Sequence, residues 1–142
     1  MSLKTTTTTT TTTTIIIIII INHILGGPTN FAPIIRKITA EAKAKLPPPH
    51  KNNPLSEYHI LTILTDGVIS DMEETKEAII DAESAPLSII IIGIGEKEKF
   101  GEGVEFKKKS FDKMVILDGD DEVLASRDKI STRDIVQFLV LR

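Results

Sequence analysis

An aspartate at the end of a buried strand is the clearest candidate for chemistry in this 142-residue chain. The segment from Tyr58 to Leu64 is apolar almost throughout and is closed by Asp66 and Gly67, which is typical of a parallel strand covered on both faces. In open α/β sheets, ligands bind in the crevice outside the carboxyl ends of the strands. A carboxylate there is a hard oxygen ligand of the kind that magnesium, manganese or calcium prefers. Asp66 is therefore a candidate metal ligand.

Two other patterns that resemble binding motifs are explained better by ordinary turns. Gly93 and Gly95 end a strand-like run, but the dinucleotide fingerprint needs a further glycine three residues on, where Glu98 stands. Tight turns at a strand end explain this pair of glycines. The acidic run Asp118–Glu122 lacks the glycine of a calcium-binding EF-hand loop, because Val123 stands at its sixth position. A solvated turn is the favoured interpretation.

The lysines and histidines indicate no further site. The lysine-rich segment Lys97–Lys109 could touch anionic lipid heads, but the glutamates that alternate with its lysines largely cancel their field. His23, His50 and His59 share no close spacing with one another or with a serine nucleophile. Neither a zinc cluster nor a catalytic triad is therefore indicated, and His59 is expected to be a satisfied core or edge residue of its strand.

The elements on either side of the candidate aspartate form a strand–helix–strand unit. A second apolar run, Ser88–Ile94, predicts another buried strand. Between the two strands lies a predicted helix from Asp71 to about Glu83, and Ser70 and Glu73 have the S-x-x-E spacing of a capping box at its start. Two parallel strands joined by a helix make a βαβ unit, whose crossover is almost always right-handed.

Further elements are predicted before and after this unit. Apolar residues recur at helical spacing over Phe31–Leu46, and three consecutive prolines then end the helix. Thr29 or Asn30 is the predicted N-cap of that helix. Towards the carboxyl terminus, Phe106–Met114 is a predicted helix and Asp134–Leu141 a short apolar strand.

The first 21 residues differ in composition from the rest and form a low-complexity arm of ten threonines followed by seven isoleucines. The threonines are expected to be solvated, since a homopolymer carries no positional code for a core. The isoleucines favour either a segment docked against the sheet or an exposed, aggregation-prone one. The sequence predicts two regions, residues 1–21 and 22–142, and leaves the position of the isoleucines open.

Composition excludes several classes of function. A net charge of −3 gives no general attraction to nucleic acid. The absence of cysteine excludes disulfides, thiolate metal sites and cysteine nucleophiles, and is compatible with a reducing compartment. The apolar run Ile15–Leu25 is broken by Asn22 and His23 and is shorter than the roughly 20 residues of a membrane span. We expect a soluble, cytoplasmic protein.

Five collinear sequence blocks resemble the carboxy-terminal domain of copines, a relative of the von Willebrand factor A domain. Together they are similar to the second half of that domain and cover roughly residues 26–142. The blocks are Gly27-Pro-Thr-Asn-Phe-Ala-Pro33, Ile63-Leu-Thr-Asp-Gly-Val-Ile-Ser-Asp-Met-Glu-Glu-Thr-Lys76, Ser88-Ile-Ile-Ile-Ile-Gly-Ile-Gly95, Leu117-Asp-Gly-Asp120 and Arg133-Asp-Ile-Val-Gln-Phe138. A copine-like domain of certain plant RING ubiquitin ligases is less similar in the block after Asp66.

The resemblance implies a three-layer α/β fold with a mainly parallel, doubly wound sheet of the von Willebrand A type, truncated on its amino-terminal side. It also implies a metal-ion-dependent adhesion site at the strand ends. In that site an Asp-x-Ser-x-Ser loop, a threonine and a further aspartate surround a divalent cation. Thr29 matches the threonine and Asp66 the aspartate, but Asp-x-Ser-x-Ser is absent from this chain. Two protein oxygens plus waters would form a weak, incomplete site for Mg²⁺ or Mn²⁺, and Ca²⁺ is implied by the family alone.

By this resemblance the leading hypothesis is a non-catalytic binding module that contacts a protein partner through the face around Thr29 and Asp66. An acidic residue of the partner would complete the metal shell. The intact family binds phospholipid in a calcium-dependent way through two C2 domains, which this sequence lacks, as it lacks the family's final helix after Arg142. Membrane contact is therefore expected only indirectly, as peripheral association with the plasma membrane.

Two other hypotheses follow from the same residues. One is a truncated copine gene product that lacks a working metal site, has an open and aggregation-prone sheet edge, and has no independent function. The other is ubiquitin transfer by analogy with the plant ligases, which the absence of cysteine excludes because RING domains need thiolate zinc ligands.

Overall fold

The structure, a computed structural model, describes residues 12–20, 29–47, 57–94, 111–120 and 122–141. For residues 12–20 it describes the backbone. The elements in chain order are β1 (Thr12–Ile20), α1 (Ala32–Ala44), β2 (Glu57–Thr65), α2 (Met72–Ala82), β3 (Leu87–Ile94), α3 (Asp112–Asp118), β4 (Ala125–Ser126), β5 (Lys129–Ile130) and β6 (Val136–Leu141).

Four parallel strands form one sheet in the order β1-β2-β3-β6. Within one row of this sheet, Ile63 of β2 pairs with Ile18 of β1 and with Ile91 of β3, which in turn pairs with Phe138 of β6. The α/β class and the mainly parallel sheet are confirmed. Of the two alternatives for the isoleucine run, the structure has the docked strand. The proposed boundary between residues 21 and 22 lies outside the described residues.

All three described helices lie on one face of this sheet. The chain moves from β1 to β2, β3 and β6 without reversing direction, and right-handed crossovers in one direction place their helices on the same side. α1 packs against α2 and β2. At the start of α3, the Phe111 ring lies against Gly93 of β3. One continuous core joins the buried side chains of the three helices and the strands.

Burial therefore alternates along the central strands. The buried positions of β2 and β3 are His59, Leu61, Ile63, Thr65, Leu87, Ile89, Ile91 and Gly93. The positions between them are half-buried and are mostly apolar, among them Ile60, Leu64, Ile90 and Ile92. The continuous apolar runs predict helices on both sides, whereas the helices in the described part of the chain cover one. We call the second side of β2, β3 and β6, which none of the described helices covers, the uncovered face.

The region after α3 departs from the sequence expectations in detail. The predicted helix Phe106–Met114 overlaps α3, but residues 106–110 are outside the described residues. Asp118, predicted to open an acidic turn, is instead the last residue of α3, and Gly119 closes the helix with a left-handed φ of 73°. The small antiparallel pair β4–β5 was not predicted. β6 confirms the predicted carboxy-terminal strand.

None of the described helices has the length and apolar character that crossing a membrane would need.

Candidate functional site

The loop between β2 and α2, residues 66–71, begins with the candidate metal ligand. The carboxylate of Asp66 accepts a hydrogen bond from the backbone N–H of Val68, with 3.3 Å between Oδ1 and nitrogen. The Thr65 hydroxyl accepts the N–H of Gly67 at 3.1 Å, and Gly67 has a φ of 96°, which favours glycine. The alternative role of Asp66, a side chain that caps the turn after its strand, is therefore present in the structure.

The same loop holds the second candidate, Thr29, through its backbone. The N–H of Thr29 donates to Ser70 Oγ at 3.2 Å, and the N–H of Ser70 donates to the carbonyl oxygen of Thr29 at 2.9 Å. The chain thus brings together two sequence blocks that are 41 residues apart. Thr29 and Asp66 consequently belong to one connected group of loops at the carboxyl end of the sheet.

Asp71 extends this connection to the first turn of α1. Its carboxylate accepts the backbone N–H groups of Phe31 at 3.0 Å and Ala32 at 2.9 Å. It also accepts the Thr75 hydroxyl at 3.1 Å, one turn into α2. The first N–H groups of a helix have no partner within the helix, so a carboxylate from the next helix acts here as the cap of α1.

Both predicted helix caps are wrong. The N-cap residue of α1 is Phe31 and not Thr29 or Asn30, and it makes no side-chain capping bond. The N-cap of α2 is Asp71, also without such a bond, so Ser70 and Glu73 do not form a capping box. The physical reason is that Ser70 bonds to Thr29 instead, across the loops. Local spacing could not reveal this competition.

Glu73, the other half of the expected capping box, turns outward. It bonds to the Lys76 ammonium at 3.0 Å and to the Ser126 hydroxyl at 3.2 Å. The hydrogen bond to Lys76 is the main reason why the pKa of Glu73 lies below its usual value. This glutamate therefore links α2 to the β4–β5 hairpin.

The hydroxyl of Thr29 has an unusual environment. Thr29 is 1% exposed, and its Oγ1 is buried without a hydrogen-bond partner among the described residues. A buried hydroxyl without a partner costs about 1–3 kcal/mol in proteins, so such groups are rare and need an explanation. A hydroxyl oxygen in that state suits a ligand to a hard cation. The residue thus fits the metal role that the sequence predicts.

Asp66 also fits a metal role, with one limit. Its Oδ1 is used by Val68, and its Oδ2 makes no hydrogen bond within the described part of the chain. No group of three or more His, Cys, Asp or Glu side chains in that part is arranged to hold a metal ion. Magnesium takes about six oxygens in near-octahedral order. Thr29 and Asp66 could therefore supply only part of a shell, and water or a partner would have to supply the rest.

A positive charge that sequence reasoning missed contacts the same loop. The Lys113 ammonium, from the first turn of α3, donates to the carbonyl oxygen of Ile69 at 3.0 Å. α3 thereby joins α1 and α2 in holding the 66–71 loop. The signal in the sequence is weak, because Lys113 and Ile69 are 44 residues apart and no motif connects them.

The remaining patterns do not add a site. Gly93 lies inside β3 and not in a turn, and a Cβ there would be 2.5 Å from Phe111 Cε1, so close packing explains this glycine. His59 is a buried core residue, as expected, but its Nδ1 has no partner among the described residues. Gly95, His23, His50, the lysine-rich segment and Asp121 lie outside those residues.

Comparison with known proteins identifies the family. The Copine family profile matches residues 15–142. The chain belongs to the copine family. Two curated relatives of this copine chain are both named Nicotinic receptor-associated protein 1, one from Caenorhabditis elegans and one from Caenorhabditis briggsae. Each is 43% identical over 118 residues, which is 83% of this chain and 16% of the relative.

The copine match includes both candidate ligands, Thr29 and Asp66, and begins at Ile15 within β1. This copine chain spans about one sixth of the length of the curated relatives that it matches, at 16%. The name of those longer proteins therefore does not show what this chain binds. The metal role of the two residues stays a prediction.

Proposed function

We propose that this copine chain is a non-catalytic binding module whose contact surface is the strand-end face around Thr29 and Asp66, assisted by a divalent cation. The observation that supports this most is the buried hydroxyl of Thr29, which has no hydrogen-bond partner among the described residues and is held by the loop that carries Asp66. A bound cation would neutralise part of the carboxylate charge and offer open positions to an incoming oxygen ligand. An acidic side chain of a protein partner is the expected occupant.

The cation is Mg²⁺ or Mn²⁺ in this proposal, with Ca²⁺ as the alternative that the family resemblance implies. Thr29 and Asp66 would hold it, both through oxygen atoms. The ammonium group of Lys113 in α3, which donates to the Ile69 carbonyl oxygen of this loop, would favour a negatively charged partner. The name of the two curated relatives indicates association with a nicotinic receptor, so a receptor of that class is a candidate partner here.

The first experiment is thermal unfolding of the full chain with and without millimolar Mg²⁺ or Mn²⁺. A ligand that binds only the folded state at ten times its Kd adds about 1.4 kcal/mol of stability, which is a rise of roughly 3–6 °C in Tm for a domain of this size. We expect the rise in the native sequence and its loss in Asp66→Ala. Asp128→Ala, which removes an exposed carboxylate from the β4–β5 turn, is the matched control and should keep the rise.

A cooperative transition whose Tm is the same with and without the cation would refute the metal part of the proposal. It would favour the other hypothesis, a copine product without a working metal site. Partner contact without metal would then be tested by binding to a receptor in the presence of a chelator.

Phospholipid binding is a separate arm of the same test. We expect that the chain does not pellet with anionic liposomes when calcium is added, because the described residues contain no cluster of calcium-type ligands. Sedimentation that depends on calcium would overturn this expectation and would assign the family's membrane property to this part of the protein.

A further inference from the structure

Ser70 and Asp71, which we call the 70–71 clamp, hold the segment from Thr29 to Ala32 by four hydrogen bonds. Two of them join Thr29 and Ser70 in opposite directions. The other two run from the N–H groups of Phe31 and Ala32 to the Asp71 carboxylate. The bonded groups are 39 to 41 residues apart in sequence, so nothing local to α1 determines where this segment lies.

The clamp is strong where a local cap is missing. Hydrogen bonds to a carboxylate are roughly twice as strong as neutral ones, and Asp71 makes two of them to backbone nitrogens and a third to the Thr75 hydroxyl. Phe31, the N-cap residue of α1, makes no capping bond of its own. The start of α1 therefore cannot shift along its axis without breaking bonds to α2.

The clamp also explains how Thr29 keeps a buried hydroxyl without a partner. A threonine free to rearrange would turn this group towards water or a carbonyl oxygen. Here both backbone groups of Thr29 are bonded to Ser70, so the backbone cannot move to bring the hydroxyl to another partner among the described residues.

We propose that Ser70 and Asp71 are the positioning residues of the metal-contact face: they hold Thr29 beside the loop of Asp66 so that the two oxygen ligands are presented together. This inference rests on the proposed function and deepens it, since it assigns the geometry of the site to residues that do not touch the cation. It also gives the Ser-Asp pair that ends the 66–71 loop a role other than helix capping.

The test measures the Kd of Mn²⁺ for the full chain, from the free Mn²⁺ signal in electron paramagnetic resonance. Asp71→Asn keeps the shape of the side chain but removes its charge and one acceptor oxygen. It should raise the Kd roughly 10–100-fold, the usual effect of residues that orient metal ligands. Ser70→Ala, which changes no charge, should weaken Mn²⁺ binding in the same direction but less. Ile79→Val, in the core of α2, is the control that lowers stability and leaves the Kd unchanged.

Hydrogen exchange provides a second readout that needs no metal. The backbone amides of Phe31 and Ala32 should exchange faster in Asp71→Asn than in Ile79→Val, because only the first variant weakens their acceptor. A purely global loss of stability would accelerate exchange in both variants alike.

The outcomes separate this inference from the proposed function. Native protein that binds no Mn²⁺ refutes the metal part of the proposed function and the positioning role with it. Native protein that binds Mn²⁺, with Asp71→Asn and Ser70→Ala binding equally well, refutes the positioning role alone. A loss in Asp71→Asn without any loss in Ser70→Ala, and without faster exchange at Phe31 and Ala32, would mean that the charge of Asp71 acts on the cation directly, which also overturns the clamp. If Asp71→Asn does not fold, Ser70→Ala decides.

Discussion

Thr29 and Ser70 are joined by two hydrogen bonds that run in opposite directions, at 3.2 Å from the Thr29 nitrogen to Ser70 Oγ and at 2.9 Å from the Ser70 nitrogen to the Thr29 carbonyl oxygen. Both residues are thereby diverted from the helix caps that their own sequence neighbourhoods predict. The arrangement leaves the Thr29 hydroxyl buried without a partner in the described part of the chain, which sets up a conflict between stability and binding.

This conflict predicts that Thr29→Val stabilises the protein in the absence of metal. The substitution keeps the shape of the side chain and removes a buried polar group for which the described residues provide no partner, so the free energy of unfolding should rise by about 1 kcal/mol. The same variant should lose the rise in Tm with Mn²⁺. Urea denaturation with and without the cation measures both effects.

Thr65→Val is the matched control for this prediction. Thr65 is also buried, but its hydroxyl accepts the Gly67 N–H, so the substitution leaves a buried donor unsatisfied and should lower the free energy of unfolding by about 1–3 kcal/mol. Equal losses in the two variants would show that the Thr29 hydroxyl has a partner after all.

Gly93→Ala should destabilise the protein through the aromatic pair that covers it. The new Cβ would lie 2.5 Å from Phe111 Cε1, and the Phe111 ring is packed against Phe138 with 5.6 Å between ring centroids. Forcing an extra carbon into such a site costs about 1–3 kcal/mol. Chemical denaturation of Gly93→Ala, Phe111→Leu and the double variant forms a thermodynamic cycle. Positive coupling is expected, and strictly additive losses would contradict the proposed contact.

The difference between the two faces of β3 predicts that two neighbouring isoleucines tolerate a polar substitution to different extents. Ile91 is 0% exposed under the helices, and Ile91→Thr should cost about 2–4 kcal/mol, because it removes buried apolar area and places a hydroxyl in the core. Ile90 points to the half-buried side, and Ile90→Thr should cost about 1 kcal/mol or less. Denaturation midpoints compare the two.

The same pair of variants tests whether the uncovered face causes self-association. Ile90→Thr should reduce aggregation at high protein concentration, measured by light scattering, because it makes an apolar surface more polar. Scattering that stays unchanged, or equal losses of stability in the two variants, would mean that the second face is buried in solution.

The stability of the protein should rise on Asp118→Asn at neutral pH. Burial raises the pKa of Asp118, and the nearby carboxylates of Asp120 and Asp134 raise it further, against a hydrogen bond from the Phe138 N–H that lowers it. The contribution of this carboxyl group to the stability of the fold is thus fully present below its ordinary pKa of 3.8 and is lost as the pH rises through the raised pKa. Asparagine keeps an acceptor for Phe138 without the charge. Its advantage should be present at pH 7 and absent in acid, as measured by urea denaturation over pH.

Glu83→Gln should change the stability of the protein at neutral pH in the opposite direction to Asp118→Asn. Burial raises the pKa of Glu83, but hydrogen bonds from Ser131, Thr132 and Arg133 outweigh it and leave the pKa below the ordinary 4.5. Its stabilisation is present above 4.5 and is lost as the pH falls through the lowered value. Glu83→Gln should therefore be less stable than the native protein at pH 7 and equal to it in acid. A constant difference at all pH values would exclude charge as the cause.

The sequence by itself determined the central strands and helices and the two candidate ligands. The apolar runs of β2 and β3 and the helical periodicity of α1 are local signals, because each element must bury apolar positions of its own sequence. Asp66 could be found because it ends a buried strand. Thr29 needed the resemblance to copines, since a threonine before a helix is otherwise a common cap.

Only the tertiary structure decided how these parts connect. Ser70, Asp71 and Glu73 form hydrogen bonds with groups up to 53 residues away in sequence. A side chain that makes such a long-range bond is no longer available to cap the helix beside it. The constant direction of the crossovers placed the described helices on one face, which no single strand pattern encodes. The contact of Phe111 with Gly93 likewise arises from packing. Local periodicity thus predicted the elements, whereas competition for hydrogen bonds and space between distant residues decided the site.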